Sequence, residues 1–384
     1  MALRTRNAVV LTKIETTPGT DASPSAGSDA VLVENPRWTP TASLVQTNEV
    51  TGSLDQPGSI VGGMRVTFEF DVLMRGSGAA GTAPEWGKLL KACGWGETVT
   101  ASAVPAAAEA LAAGASQTEA TLGTSASSTA NAYRGMPILF SGGASGTAFI
   151  AAFRAAKLAT LTDDMGGPLD AGTDYQIPAN VVYGPASTSI PALTMYVFQD
   201  GLRARFVGCR GNMQLRAETG AIGRFTFRFE GIYVDLTDVA VPTATYDDVA
   251  IRPPVVRNGA FKIERVARAI SQLSLDAGNS LTMPANPNAA EGFDHAEITA
   301  RNLTGSVDPM TVLVATQDTM AAFKAGTKQI LHERWGSTAG NRIAVTIPAG
   351  LYTGRTQGDR EGLATEELPF EATGRDAGAF ICVW

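Results

Sequence analysis

The sequence holds few of the side chains on which catalytic and metal sites depend. Its two histidines, His295 and His332, lie in no HExxH pattern and stand next to no cysteine. The three cysteines, Cys93, Cys209 and Cys382, are far apart and form no CxxC pair. This spacing excludes the usual zinc and redox motifs and predicts buried, reduced thiols. We therefore expect no catalytic residue, no cofactor and no metal.

Adjacent acidic residues are the remaining candidates for catalysis by paired carboxylates. They occur at Asp163-Asp164, Asp247-Asp248 and Glu366-Glu367. Neighbouring residues on a strand point to opposite faces of a sheet, so the two carboxylates of such a pair do not converge. We expect all three pairs to lie in turns or on exposed strand faces.

The chain also lacks a basic patch and long apolar runs. Among its 384 residues, 30 Lys and Arg are set against 37 Asp and Glu, and the net charge is −7. The bases are spread along the chain, which argues against tight binding of nucleic acid. No run approaches the ~20 apolar residues of a membrane-spanning helix, and residues 1–15 lack the apolar core of a signal peptide. The sequence predicts a soluble protein, made in a cytoplasm, without a membrane partner.

The sequence is rich in short strands and turns. Its 41 glycines and 20 prolines favour a mainly β fold over long helices. Apolar and polar side chains alternate in residues 66–74. They alternate again in residues 224–234, where Phe225, Phe227 and Phe229 are the apolar members. A period of two is typical of a strand with one buried face and one exposed face.

A short helix is predicted after the first of these strands, over 82–94. Thr82 stands three residues before Glu85, which is the spacing of a capping box. Pro84 suits the first turn of a helix, and Gly94 suits its end.

The segment GSGAAG at 76–81 matches the GxGxxG pattern of dinucleotide-binding enzymes. That motif needs a buried parallel strand before it and a helix that begins at once, because the pyrophosphate binds at the helix N-terminus. Here the preceding strand has a polar side chain at every second position, and the helix is delayed beyond Pro84. We favour a flexible glycine connection and keep a dinucleotide-dependent enzyme as the alternative function.

Composition divides the chain into four segments. Ala, Ser, Thr and Gly dominate the beginning of 101–190, which we interpret as a small all-β domain inserted into a host fold. Residues 1–100 and 191–252 then form the first lobe. After the connection RPPVVRNG, residues 253–384 form a second lobe.

The second lobe repeats the order of elements in the first. A strand predicted at 295–305 matches the first alternating strand of the chain. A helix predicted at 316–326, capped by Asp318 and ended by Gly326, matches the helix of the first lobe. Late strands are predicted at 342–350, 367–374 and 379–384. We therefore expect two antiparallel β-sandwich or barrel lobes, each with one short helix, and an inserted all-β domain.

Two long polar loops occupy equivalent places in the lobes, at 45–63 and 276–292. Long loops without structure of their own are usually functional or disordered. We predict that both are arms that become ordered on a neighbouring subunit. The residues expected to make these contacts are Gln46, Asn48, Glu49, Asp55, Gln56, Asn279 and Asn286.

Three stretches resemble the tail tube (major tail) proteins of long-tailed, siphovirus-type bacteriophages. They are KIETTPGTDASP at 13–24, the loop at 45–63, and FEFDVLMRGSGAAGTAPEWGKLLKACGW at 68–95. The stretch ATLGTSASSTANAYRGMPILFSG at 120–142 separately resembles a small β-module found on phage structural proteins. The second lobe resembles the family in pattern alone.

The resemblance implies a structural, non-enzymatic subunit of the virion tail, made in the host bacterial cytoplasm. Six lobes of this family close into a ring, and stacked rings form a tube that conducts the genome during ejection. A chain with two lobes would form a trimeric, pseudo-hexameric ring, with the inserted module outside and the arms between rings. A tail connector is the alternative within the virion.

The resemblance also implies a set of partners. These are other copies of the chain, the tape-measure protein, the tail terminator and distal tail proteins, and double-stranded DNA that passes without specific binding. A channel wall of acidic and hydroxyl side chains with few bases would repel DNA phosphates or slide past them. From the exposed faces of the alternating strands, we expect this wall to include Thr67, Glu69, Asp71, Thr226, Arg228, Glu230, Glu297, Thr299 and Glu371.

Overall fold

The computed structural model describes residues 3–112, 116–246 and 250–384, and in them the protein is mainly antiparallel β, as predicted. The elements before the six-stranded sheet are β1 (Ala8–Ile14), β2 (Ala30–Val31), β3 (Glu34–Val45), β4 (Ile60–Leu73), α1 (Gly87–Ala92) and β5 (Trp95–Thr100). The six-stranded sheet contains β6 (Val104–Ala110), β7 (Glu119–Thr121), β8 (Pro137–Gly142), β9 (Gly146–Phe153), β10 (Leu158–Leu161) and β11 (Thr173–Ile177).

The remaining elements complete the first lobe and build the second. Those of the first are β12 (Asn180–Pro185), β13 (Leu193–Gln199), β14 (Leu202–Glu218) and β15 (Arg224–Asp238). Those of the second are β16 (Ala260–Ile263), β17 (Val266–Ala267), β18 (Gln272–Asp276), β19 (Asn279–Thr282), β20 (Glu297–Arg301), β21 (Thr304–Val307), α2 (Thr319–Ala325), β22 (Gln329–Trp335), β23 (Ile343–Tyr352), β24 (Thr356–Arg360), β25 (Leu363–Ala372) and β26 (Phe380–Val383).

One run of eight strands passes through both lobes, and we call it the eight-stranded sheet. Its order is β3-β4-β15-β14-β18-β21-β25-β24, and every neighbouring pair is antiparallel. The lobes meet at β14 and β18, where Gln214 lies opposite Asp276 and Glu218 lies opposite Gln272. Each lobe therefore contributes four strands to one continuous surface.

The predicted alternation gives the eight-stranded sheet one apolar face. Phe225, Phe227 and Phe229 on β15 are all buried, as predicted, and so are Phe68 and Phe70 on β4. The rings of Phe70 and Phe229 stack with 5.8 Å between their centroids. Burying an aromatic side chain of this size contributes about 1.5–3 kcal/mol. This face therefore forms one side of the main core.

A second layer of strands covers the apolar face. Strands β5-β12-β26-β23-β22-β16-β17 pair in that order, and β2-β1-β13 continues from β14. On β23, Ile343, Val345 and Ile347 face the main core, whereas Ala344 faces the opposite side. Because both faces of β23 and β26 are largely buried, these two strands are mainly apolar without alternation, whereas β22 also buries Gln329, His332 and Glu333.

The six-stranded sheet, which falls within the predicted insertion, packs on the far side of the middle layer. The ring of Phe149 lies 4.5 Å from that of His332 and 5.7 Å from that of Trp384. Burial lowers the pKa of His332 to about 3, so this histidine is neutral. Lys262 Nζ donates to Asp163 Oδ1 at 2.5 Å. Asp163 is thus buried in this interface, in the irregular segment that follows β10.

The first helix departs from the prediction. It begins after Trp86, which makes no side-chain capping bond, so the predicted capping box is wrong. The Thr82 carbonyl instead accepts from Ser77 Oγ at 2.8 Å, within the turn that precedes the helix. Gly94 follows the last turn with φ +76°, a conformation that favours glycine, and ends the helix as predicted.

The second helix follows the prediction at both ends. Asp318 Oδ1 accepts from the backbone N–H of Ala321 at 2.8 Å. Gly326, with φ +61°, ends the helix in the left-handed conformation. Both ends of α2 could be predicted because each cap here depends on one residue close in sequence to the helix.

One predicted strand is divided, and one strand that was not predicted lies in the range of the insertion. The strand predicted at 295–305 is two strands: β20 forms a separate two-stranded sheet with β19, and β21 joins the eight-stranded sheet. The backbone N–H of Asn302 bonds to the carbonyl of Gly278 between these strands. Strand β12 lies within the range predicted for the insertion, but it pairs with β5 and β26 in the middle layer.

The same pairing order occurs twice along the chain. The first lobe has β3-β4-β15-β14, with β13 beside β14 and β1 beside β13. The second has β18-β21-β25-β24, with β22 beside β23 and β16 beside β22. Strands β23 and β24 together take the place of the long β14. The residue ranges of the lobes and of the insertion stay a prediction.

Candidate functional site

The polar face of the eight-stranded sheet gathers seven of the nine residues predicted for the channel wall. On β15 and β4, Thr226 lies opposite Asp71, Arg228 opposite Glu69, and Glu230 opposite Thr67. Glu371 lies on β25 opposite Thr304 of β21. All of these positions alternate with residues of the main core, so their side chains share the outer face of the sheet.

Acids on this face stand beside arginines. Arg228 Nε lies 3.6 Å from Glu69 Oε1, and Arg224 Nη1 lies 3.6 Å from Asp71 Oδ2. Arg224 also pairs with Glu34 at 3.1 Å. Exposed pairs of this kind contribute only about 0.2–1 kcal/mol to stability, but they reduce the local net charge. Arg224 was missed in the sequence, although continuing the alternation one step before Thr226 reaches it.

The polar face continues without a break into the second lobe. Asp276 Oδ1 accepts from Asn212 Nδ2 at 2.8 Å, and Asp276 Oδ2 accepts from Gln214 Nε2 at 2.7 Å. The hydroxyl groups of Ser274 and Ser306 are 2.9 Å apart. These amides and hydroxyls were not predicted, because the strand that carries Asp276 is too short for its alternation to be recognised.

Glu297 and Thr299 do not lie on this face. Both belong to β20, where Thr299 Oγ1 donates to the carbonyl of Ser280 at 3.2 Å. Glu297 forms an ion pair with Arg210 and a hydrogen bond with His295. Burial raises the pKa of Glu297, but bonds from Arg210 and His295 outweigh it and leave the pKa below its usual range. The separate sheet of β19 and β20 therefore places both residues apart from the other seven.

The ends of the eight-stranded sheet are open edges in the described part of the chain, where β3 pairs with β4 alone and β24 with β25 alone. The N–H of Glu366 bonds to the carbonyl of Pro309, and the carbonyl of Ala364 accepts from Thr311. Both groups of β25 thus face away from β24. In an antiparallel pair, two residues that lie opposite each other either both bond to the partner strand or both point their N–H and C=O groups away from it. Gln357 lies opposite Glu366, so its N–H points away from β25, to the open edge of the sheet.

The hairpin loop between β3 and β4 projects with exposed apolar side chains, and we call residues 44–61 the first arm. Val50 and Leu54 are fully exposed, and Leu44, Val45, Ile60 and Val61 are more than half exposed. Five predicted contact residues lie here and are exposed: Gln46, Asn48, Glu49, Asp55 and Gln56. Clustered apolar groups in water are typical of a surface that binds a partner.

The matching loop of the second lobe, residues 277–303, is ordered within its own chain, and we call it the second arm. Asn279 Nδ2 donates to the carbonyls of Cys93 at 2.8 Å and Gly211 at 2.9 Å. Arg301 Nη2 donates to the carbonyl of Gly94 at 2.7 Å. The second arm therefore lies on the first lobe, at the C-terminal end of α1 and beside β14.

The tip of the second arm also makes contacts within the chain. Asn286 Nδ2 donates to Asp294 Oδ1 at 2.7 Å and holds the tip together. Glu291 Oε2 accepts from the N–H of Met64 on β4 at 2.7 Å. Asn279 and Asn286 therefore both make contacts within their own chain, whereas the five predicted contact residues of the first arm are exposed.

The GSGAAG loop packs against the second lobe. The N–H of Gly76 donates to Asn341 Oδ1 at 2.8 Å, and the N–H of Gly78 donates to the carbonyl of Gly340 at 3.2 Å. The preceding strand β4 is antiparallel to both neighbours, and α1 begins only at Gly87. A dinucleotide site needs a parallel strand and free N–H groups at the start of a helix, so this loop does not provide one.

Glu366 forms a buried charge cluster behind β24, and its predicted exposure is wrong. Its side chain is 2% exposed and that of Arg268 is 1% exposed, with 2.7 Å between Oε1 and Nη2. Oε2 accepts from Thr319 Oγ1 at 2.7 Å and from Arg355 Nε at 2.8 Å. The neighbouring Glu367 is exposed. Asp247-Asp248 lies outside the described residues.

Metal and membrane features are absent from the ranges that the structure describes. There, no group of three or more His, Cys, Asp or Glu side chains is placed to hold a metal ion. No helix in those ranges is long and apolar enough to span a membrane. Cys93, Cys209 and Cys382 are free and buried, and burial raises the pKa of all three thiols.

The arrangement as a whole defines a structural subunit, built from a sheet with a polar face and two edges that can pair with other chains. The profile of the family described as "Phage tail tube protein" matches residues 5–372. The chain therefore belongs to the phage tail tube protein family, whose members are non-enzymatic virion proteins that self-assemble into the tube of the tail. No curated protein matches the chain.

Proposed function

We propose that three copies of this chain close into a ring and that rings stack into a tube through which DNA leaves the virion. The observation that carries this proposal is the eight-stranded sheet, which crosses both lobes and has an open edge at each end. Edge β24 of one copy would pair with edge β3 of the next. A heterologous contact produces a ring when its rotation closes. With two lobes per chain and six lobes per ring, three chains complete the circle.

In this ring the polar face of the eight-stranded sheet forms the channel wall. The other face is covered by the middle layer, and the six-stranded sheet lies beyond it, on the outside of the tube. The wall would then include Thr67, Glu69, Asp71, Thr226, Arg228, Glu230 and Glu371. Because acids and arginines alternate across this face, it offers DNA no continuous positive track, and the duplex would pass without specific binding.

Charge reversal on the wall is expected to slow DNA ejection. In a variant with Glu69→Lys and Asp71→Lys, each new ammonium group attracts phosphates, which place one charge every ~1.7 Å along the duplex. We expect ejection from phage particles to slow severalfold at low salt and to recover at high salt. The matched control is Asp164→Lys with Asp170→Lys, two exposed acids between β10 and β11 of the six-stranded sheet. Equal ejection rates for both variants would place the channel wall elsewhere.

The pairing of edges has its own test, the Gln357→Pro variant. Proline removes the N–H that faces the open edge and keeps the bonds between β24 and β25. We expect a folded monomer, with an unchanged circular dichroism spectrum, that forms no rings in electron micrographs or native mass spectra. Gln357→Ala keeps the N–H and is expected to assemble as trimeric rings. Assembly of the proline variant, or rings of another stoichiometry, would refute this mode of closure.

The remaining partners follow from the position of the chain in a tube. The channel would hold the tape-measure protein during assembly, and the ends of the tube would meet the tail terminator and distal tail proteins. Such a tail belongs to a long-tailed phage, whose proteins are made in the host bacterial cytoplasm. Micrographs of the purified protein separate this role from that of a connector, because a connector would form single rings and not stacked tubes.

A further inference from the structure

The two arms leave equivalent places in the eight-stranded sheet but end in different surroundings. The second arm leaves between β18 and β21 and lies on the first lobe of its own chain. The first arm leaves between β3 and β4, and its side chains are exposed. The structure therefore contains one arm that is docked and one that is not.

We infer that the first arm docks on the second lobe of the adjacent copy in the same ring, at the C-terminal end of α2. This inference rests on the proposed ring. In that ring, the β14–β18 junction within a chain and the β24–β3 junction between chains are equivalent steps around the circle. The second arm extends from the second lobe across the β14–β18 junction onto the first lobe of the same chain. The first arm is therefore expected to extend across the β24–β3 junction onto the second lobe of the adjacent copy.

The surface around α2 is suited to receive an arm. At α1, the leucines Leu89 and Leu90 are fully buried, and the second arm covers the end of the helix. At α2, Met320 is about half exposed, and Leu313 and Val314 just before the helix are more than two-thirds exposed. This exposed apolar surface at α2 is complementary to the exposed apolar side chains of the first arm.

Charge also favours this contact. The first arm carries Glu49 and Asp55 and has no basic residue. Lys324 in the last turn of α2 and Lys328 just after the helix are both exposed. Opposite charges on the two surfaces orient the encounter of subunits and suppress wrong pairings.

One asparagine of the first arm has the same spacing from the end of its strand as the asparagine in the contact already present. Asn279, which bonds to the end of α1, stands three residues after Asp276, the last residue of β18. Asn48 stands three residues after Val45, the last residue of β3. Asn48 would therefore donate to a carbonyl at the end of α2 in the adjacent copy, near Ala325.

Paired cysteines test this contact in the assembled protein. Asn48 and Ala325 are both exposed, whereas the three native cysteines are buried and do not compete for a cross-linker. In tubes of the variant with Asn48→Cys and Ala325→Cys, a short bis-maleimide is expected to give covalent dimers and trimers. The trimer should be the end product, because each chain is joined to the next around one ring. The matched control is Asn48→Cys with Ser128→Cys, which lies between β7 and β8 of the six-stranded sheet. This variant is expected to give monomers.

The possible results separate this inference from the ring on which it rests. A ladder that continues beyond the trimer would show that the first arm joins successive rings, and would overturn docking within a ring. Rings or tubes that form without cross-linking would overturn the contact with α2 and leave the ring intact. Wild-type protein that stays monomeric would refute the ring, and with it the contact.

Discussion

The Phe70→Ala variant is expected to lose about 3–5 kcal/mol of the free energy of unfolding. Phe70 is 2% exposed, and its ring centroid lies 4.8 Å from that of Phe68 and 5.8 Å from those of Phe227 and Phe229. Truncation leaves a cavity between the two layers of the main core. Because β4 is paired on both sides, the strand cannot move inward to fill that cavity. Urea unfolding followed by circular dichroism measures the loss.

The neighbouring residue on the same strand provides the control. Glu69 points to the polar face, where its side chain is 53% exposed and lies 3.6 Å from Arg228. Glu69→Ala is expected to change the free energy of unfolding by no more than ~1 kcal/mol, because exposed ion pairs contribute little. Similar losses in both variants would contradict the assignment of the two faces.

The Glu366→Ala variant is expected to lose a similar amount, about 3–5 kcal/mol. Removing this carboxylate leaves the guanidinium of Arg268, which is 1% exposed, buried without its charged partner. It also removes the acceptor for Thr319 and Arg355. The cost is therefore that of an uncompensated buried charge, and thermal or urea unfolding measures it.

Glu367→Ala is the matched control for this variant, because the adjacent side chain is exposed. We expect its free energy of unfolding to stay within ~0.5 kcal/mol of the wild-type value. An equally large loss in Glu367→Ala would show that strand β25, and not the buried cluster, is sensitive to substitution.

The contribution of Glu366 is also expected to depend on pH. Burial raises the pKa of its carboxyl group, but bonds from Thr319, Arg268 and Arg355 outweigh burial, so the pKa is lower than usual. A lowered pKa in the folded protein gives stability that is present above the unfolded pKa of ~4.3 and is lost as pH falls through the folded pKa. The difference between wild type and Glu366→Ala should therefore shrink on acidification below pH ~4.

Local patterns in the sequence predicted much of this fold. The period of two on β4 and β15 identified both faces, including the inward Phe225, Phe227 and Phe229. The ends of α2 were predicted from Asp318 and Gly326. In each case the structure depends on residues close together in the chain, and the same signals carried the resemblance to the tail tube family.

Other features depend on contacts between distant residues and leave no local pattern. Glu366 is buried because Arg268, Thr319 and Arg355 surround it, and none of these is adjacent in sequence. The second arm has the composition of a free loop, yet Asn279 finds its acceptors at Cys93 and Gly211. Glu297 and Thr299 lie apart from the other predicted channel residues for the same reason, because alternation does not reveal which strand lies next to which.

The packing of the six-stranded sheet limits how this protein can be engineered. Its core is shared with Phe380, Cys382 and Trp384 on the outer side of the middle layer. Replacing residues 104–177 with a foreign display module would therefore expose these apolar side chains to solvent, even if the new module folded well. Such a chimera would need a matching polar redesign of the host surface to stay soluble, whereas insertion at the exposed turn near Gly166 would leave that surface covered.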